Sequence, residues 1–123
     1  MPIQSFTDLE AWKEAHQLLL GIYKATKEFP KSEDFGLISQ IRRAAVSIES
    51  NIAEGFRRYS YKERAKFYYD ARGSDAEVQT QLIISKDLGY ISGEDFKNLW
   101  EKSEKTDKIL NGLVRATRER SHS

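Results

Sequence analysis

The 123-residue chain contains no cysteine. That rules out disulfide frameworks, thiolate zinc sites and cysteine nucleophiles together. It has only two prolines and seven glycines, a poverty of turn formers that favours long amphipathic helices over a sheet-rich fold. Charge of one sign is missing as well: 20 Lys and Arg stand against 19 Asp and Glu, for a formal charge of +1. The molecule as a whole is therefore no strong polyanion binder, and a nucleic-acid role requires uneven charge or several copies. No apolar run approaches the length of a membrane span, and the opening "MPIQSFTDLEAW" lacks the charged-then-apolar layout of a secretory signal. The expectation is a cytoplasmic protein with no membrane partner.

Chemistry-bearing constellations are equally sparse. The two histidines are His16, on the apolar face of the first helical segment, and His122, in the tail. Glu-x-x-His occurs once, at Glu119 and His122 in the tail, where a di-iron carboxylate bundle needs two such pairs on facing helices. There is no phosphate-cradling glycine loop and no arrangement suggesting a catalytic triad. His16 reads as a hydrogen-bonded core or boundary residue, since metal ligands come in clusters. The expectation is a protein that is not an enzyme, with no catalytic, cofactor-binding or metal residues and no cofactor.

What the sequence does have is aromatic residues, six Phe, six Tyr and two Trp, enough to bury and too many for a disordered chain. The length fits one domain spanning 1–123. Four segments carry helical periodicity with start and stop signals, at about 7–28, 33–55, 60–88 and 93–118, with 119–123 a frayed tail. "TDLE" gives a capping box at Thr7 and "SYKE" another at Ser60. Pro30 stops the first helix, Gly55 suits a left-handed C-terminal position, and "LGYISG" supplies a turn with Gly89 and Gly93. The first helix carries Trp12, Ala15, Leu19, Ile22 and Thr26 on its apolar face, flanked by Leu9, His16 and Tyr23. Short connections force neighbouring helices antiparallel, so the fold class is all-α, an antiparallel up-and-down four-helix bundle.

Two polar seams run beside apolar faces. On the second helix Gln40, Arg43, Ser47, Asn51 and Glu54 share a side, and on the third Asp70, Ser74, Glu77 and Gln81 do the same at spacings of four, three and four. They are expected to meet, with Arg43 against Glu77 or Glu54. A ligand pocket is one reading; a structural network that fixes helix register is the favoured one. The third helix has a further apolar side, Ala65, Tyr69, Ala76 and Ile83, opposite its core stripe. A helix apolar on two sides is usually buried on two sides, so this set is the candidate oligomer face. The run "RRYSYKERAKFYYDAR" gathers Arg57, Arg58, Lys62, Arg64 and Lys66 around interleaved tyrosines. Cations neutralise phosphates and exposed tyrosines stack on bases, making these five the candidate nucleic-acid-binding residues. Arg115, Arg118 and Arg120 join them only if they lie on the same side.

The stretches "GLISQIRRAAVSIESNIAEGFRR" and "ARGSDAEVQTQLIISKDLGYI", with the opening "LEAWKEAHQLLLGIYKAT", resemble the four-helix-bundle proteins encoded in intervening sequences of bacterial 23S rRNA genes. A distant similarity extends to the accessory variability proteins of diversity-generating retroelements. The resemblance implies a ring-shaped homopentamer and, through the retroelement relatives, contact with nucleic acid and a reverse transcriptase. The family pattern falls here on Gln40, Arg43, Ser47, Asn51, Glu54 and Gly55, and on Gly73, Ser74, Glu77 and Gln81. Glu49 stands where the family often has proline, and Arg57 where it often has glycine. Together these readings give a non-enzymatic oligomeric scaffold that binds RNA or other nucleic acid weakly through a basic corner. The alternative is a protein-interaction module that docks a nucleic-acid-processing partner such as a polymerase, without binding nucleic acid.

Overall fold

Four helices account for most of residues 2–122, which the computed structural model describes: α1 Glu10–Thr26, α2 Leu37–Phe56, α3 Tyr61–Asp87 and α4 Gly93–Ser121. No strand occurs among the described residues. Each helix packs on two neighbours, α2 on α3, α3 on α4, α4 on α1 and α1 on α2, while the diagonal pairs do not approach. With turns only a few residues long at Arg57–Ser60 and Leu88–Ser92, consecutive helices must reverse direction. The result is a square up-and-down bundle. The α2–α3 turn and the end of α4 share one end, and the α1–α2 and α3–α4 connections share the other.

Apolar residues at helical spacing explain the packing. Ala11, Ala15, Leu18 and Ile22 from α1 meet Ile41, Ala45, Ile48 and Ile52 from α2, with Ala71, Val78 and Leu82 of α3 and Leu99, Leu110 and Val114 of α4 closing the core. The expected face of α1 is rotated. Ala11 and Leu18 are inside, Trp12 and Leu19 are half-buried, and Tyr23 is exposed. Small Ala11 and Ala15 let α1 approach closely, and Gly21 continues that contact, since a Cβ there would sit 2.7 Å from Leu99 Cδ2.

Helix ends follow local chemistry, with four departures from expectation, one being that α2 starts at Leu37 rather than near residue 33, after a 3-10 turn at Lys31–Glu33. Thr7 does not cap α1. Ser5 instead closes a capping box with Asp8 around a 3-10 turn at Phe6–Asp8, and α1 starts after Leu9. The amides of Gln4 and Ser5 both donate to Asp8 and lower its pKa. Ser60 does cap α3, its Oγ accepting from the Glu63 amide at 3.1 Å. Gly55 is not a left-handed terminus: α2 continues to Phe56, and the only positive φ among the described residues is at Gly89. Gly55 is instead a close approach, because a Cβ there would lie 2.8 Å from the Tyr68 ring. Gly89, at φ 76°, ends α3 in a Schellman motif, with the Tyr90 amide donating to Ser85 O and the Gly89 amide to Lys86 O. Finally, α4 runs to Ser121, so Glu119–Ser121 are helical rather than frayed. Thr117, just before this stretch, is buried, and the turn beyond it is exposed. Ser123 of the expected tail lies outside the described residues.

Candidate nucleic-acid interface and the polar junctions

The five basic candidates divide into two groups. Arg57, Arg58 and Arg64 are turned onto their own corner. Arg58 Nη2 pairs with Glu54 Oε2 at 2.7 Å one helical turn away, and its guanidinium lies 4.7 Å from the Phe67 ring centre. Arg64 Nε donates to Arg58 O at 2.7 Å and so braces the turn. Arg57 sits 5.7 Å from the Phe6 ring. These three contribute positive potential, but Arg58 and Arg64 have part of their donor capacity already used.

Lys62 and Lys66 behave differently. They are exposed, make no ion pair among the described residues, and lie on the side of α3 facing the end of α4. There they line a cavity of about 900 Å³ together with Ser60, Tyr69, Arg118 and His122. Arg118 stands 5.6 Å from the Tyr69 ring and Arg120 stands 5.8 Å from the Tyr61 ring. Arg118 and Arg120 therefore lie on the same side as the basic run, because α4 holds its helix to that end. Tyr59, Tyr61 and Tyr69 are exposed, whereas Tyr68 is buried and its pKa is raised by that burial. Ala65, expected on the outer face, is only 3% exposed and lines the groove between α3 and α4. Its methyl group is small enough to be covered there.

The seams on α2 and α3 meet at one place. Ser47 Oγ and Ser74 Oγ are 2.8 Å apart, and Asn51 Nδ2 donates to Ser47 O at 3.0 Å and to Ser47 Oγ at 3.2 Å. The expected pairing of Arg43 with Glu77 or Glu54 does not form. Arg43 and Glu77 are exposed to water, and Glu54 takes Arg58 on its own helix. Gln40 and Asp70 are exposed too, and Gln81 is half-buried with its Oε1 unpartnered among the described residues. The network is thus three residues wide. His16 is half-exposed, its Nδ1 2.9 Å from Glu49 Oε2 and its ring stacked on Trp12 at 4.8 Å. Glu49 supplies the α2 partner of that histidine.

A second polar junction, between α3 and α4, escaped the sequence reading. Asp75 is 1% exposed, and its Oδ1 accepts from Ser103 Oγ at 2.7 Å. Burial raises its pKa to about 7, opposed by the Ser103 hydrogen bond, raised further by Asp107 and lowered by Arg72. Asp75 Oδ2 has no hydrogen-bond partner among the described residues. Beside it Arg72 Nε donates to Asp107 Oδ1 at 2.8 Å and Nη1 to Asn111 Oδ1 at 3.1 Å. A signal existed. Asp75 falls between Ala71, Val78 and Leu82 at spacings of four, three and four, so the core stripe itself carries a carboxylate. Ser103 interrupts the α4 stripe between Leu99 and Thr106 in the same way.

No group of three or more His, Cys, Asp or Glu among the described residues could hold a metal ion. No helix there is long and apolar enough to cross a membrane. A family model described as 23S rRNA-intervening sequence protein matches residues 7–112. Among solved structures, the chain is similar to a protein with unknown function from the S23 ribosomal protein family of Bacteroides thetaiotaomicron VPI-5482. The TM-score is 0.78 at 19% identity, over 85% of this chain and 95% of that one. At that identity the likeness shows the fold. The comparison with curated proteins finds no match.

Proposed function

We propose that this chain, which belongs to the 23S rRNA-intervening sequence protein family, is a non-enzymatic cytoplasmic scaffold that self-associates through α3 and holds RNA weakly at its basic end. The observation that carries the RNA reading is the cavity of about 900 Å³ where Lys62, Lys66, Arg118 and His122 converge with Tyr69. Free ammonium groups beside exposed aromatic rings suit phosphates and unpaired bases. Self-association is supported by the outer side of α3, where Tyr69 is 54% and Ile83 44% exposed, with Gly73, Ala76 and Thr80 between them at heptad spacing. The subunit number we propose, five in a ring, follows the family resemblance.

The test is an RNA-binding titration against salt on material of known oligomeric state. Replacing Lys62, Lys66 and Arg118 by Gln is expected to weaken binding and flatten the salt slope by about 0.7 for each single-strand phosphate no longer neutralised. Replacing Arg57, Arg58 and Arg64 should do less. Unchanged affinity in the first variant refutes the groove, and a wild type that stays monomeric at micromolar concentration refutes the ring. A second reading, docking of a partner protein, is favoured by Phe35, which is fully exposed beside Tyr23, Ile38 and Val46 in a groove of about 550 Å³. It predicts no RNA binding even at low salt, where phosphate contacts are strongest.

A further inference from the structure

The orphaned carboxylate oxygen of Asp75 is hard to reconcile with an isolated bundle. A buried charge is retained at a cost unless it is paired, and buried polar groups are almost always hydrogen-bonded. Asp75 also lines a cavity of about 340 Å³ that opens on the outer side of α3, where Tyr69, Gly73 and Ala76 form its rim and Asp107 its α4 wall. That rim coincides with the stripe on which self-association is proposed. The cavity holds two carboxylates, and the cation among its described lining residues, Arg72, is already committed to Asp107 and Asn111. What the site lacks is a positively charged hydrogen-bond donor for Asp75.

We infer that this cavity receives an ammonium or guanidinium side chain from a second copy of this chain, which pairs with Asp75 as the copies associate. The inference rests on the self-association reading and adds a specific lock to it. Charge complementarity favours a second copy as the source: Lys62 and Lys66 are exposed on this same helix, without ion pairs among the described residues. Pairing with a cation stabilises the ionised form of Asp75, so association releases a proton. The charged groups facing Asp75 are Arg72 from α3 and Asp107 from α4. Their own ion pair persists across the relevant range, which leaves Asp75 as the group that titrates. Association should therefore tighten as pH rises from about 6 to about 8, by at most about tenfold per pH unit per site.

Sedimentation of the wild type at pH ~6 and ~8 tests this alongside two variants. Asp75→Asn, close in shape, is expected to weaken association at least about tenfold at the higher pH and to abolish the pH dependence. Gly73→Lys places a cation at the rim, where an added Cβ meets nothing within 4 Å. It should fill the cavity from within its own chain, raise the melting temperature and block association. If both variants associate as the wild type does, with the same pH response, the cavity inference falls and self-association stands. If the wild type is a monomer throughout, both fall. If methylguanidinium raises the wild-type melting temperature, spares Asp75→Asn and leaves association unchanged, the cation is a free small molecule, and the second copy is overturned as its source.

Discussion

Helix α3 has a polar junction on each side, and the two are built on different principles. Toward α2 it presents Ser74 to Ser47 and Asn51, three neutral groups that satisfy one another at 2.8 to 3.2 Å. Toward α4 it presents Asp75 and Arg72, one buried and partly unsatisfied, the other spread over Asp107 and Asn111. A neutral network holds register at little desolvation cost. A buried carboxylate makes stability depend on its protonation state. The first is a fixture of the fold, and the second is a place where the fold responds to its surroundings.

That contrast breaks most visibly in the pH dependence of stability. Asp75 has a folded pKa of about 7 against about 4 when unfolded. Between those values the folded chain keeps a proton that the unfolded chain has lost, so stability falls as pH rises from about 4 to about 7 and is flat above. In the unassociated chain Asp75→Asn is expected to lack this fall, leaving it more stable than the wild type near pH ~8 by on the order of 4 kcal/mol at most. Urea unfolding at pH ~4.5, ~6 and ~8 measures the difference, and parallel curves for the two proteins would remove Asp75 as its source. Next in size is Arg72→Met. The ion pair it removes is a third exposed, so a destabilisation of about 1 to 2 kcal/mol is expected, shrinking in high salt as screening weakens the original pair. Smallest is Ser74→Ala at the neutral junction, about 1 kcal/mol and insensitive to both salt and pH. A pH-dependent effect there would erase the distinction between the two sides.

The helices and the meeting of the α2 and α3 seams were legible because apolar spacing and capping residues act locally. Ser60 and the Gly89 turn could be read from a few neighbouring residues. Gly55 could not: its role is a 2.8 Å approach to Tyr68 across the α2–α3 contact, which no local pattern encodes. Arg43 misled for a related reason. Its angular position is right for the seam, but it is exposed to water, and solvation competes with a pair that geometry alone permits. The basic run showed that its cations share one corner but not how they are engaged within it. Which cations are occupied depends on Glu54, Phe6 and Phe67, and Arg118 belongs to the groove only because α4 stays helical to Ser121. Asp75 was visible in the core stripe, where a single carboxylate reads as a gap.

The up-and-down path has an electrical consequence that net charge conceals. Arg57, Arg58, Lys62, Arg64, Arg118 and Arg120 outnumber Glu54, Glu63 and Glu119 at one pole, while at the other Glu33, Asp34, Asp87, Glu94 and Asp95 are nearly offset by Lys27, Lys31, Lys86 and Lys97. A body with a formal charge of +1 migrates slowly in a field, yet this one gathers its excess of positive charge at one end. Near a polyanion it would be aligned before contact, so its encounters would be end-on more often than its isoelectric point of about 7.9 suggests.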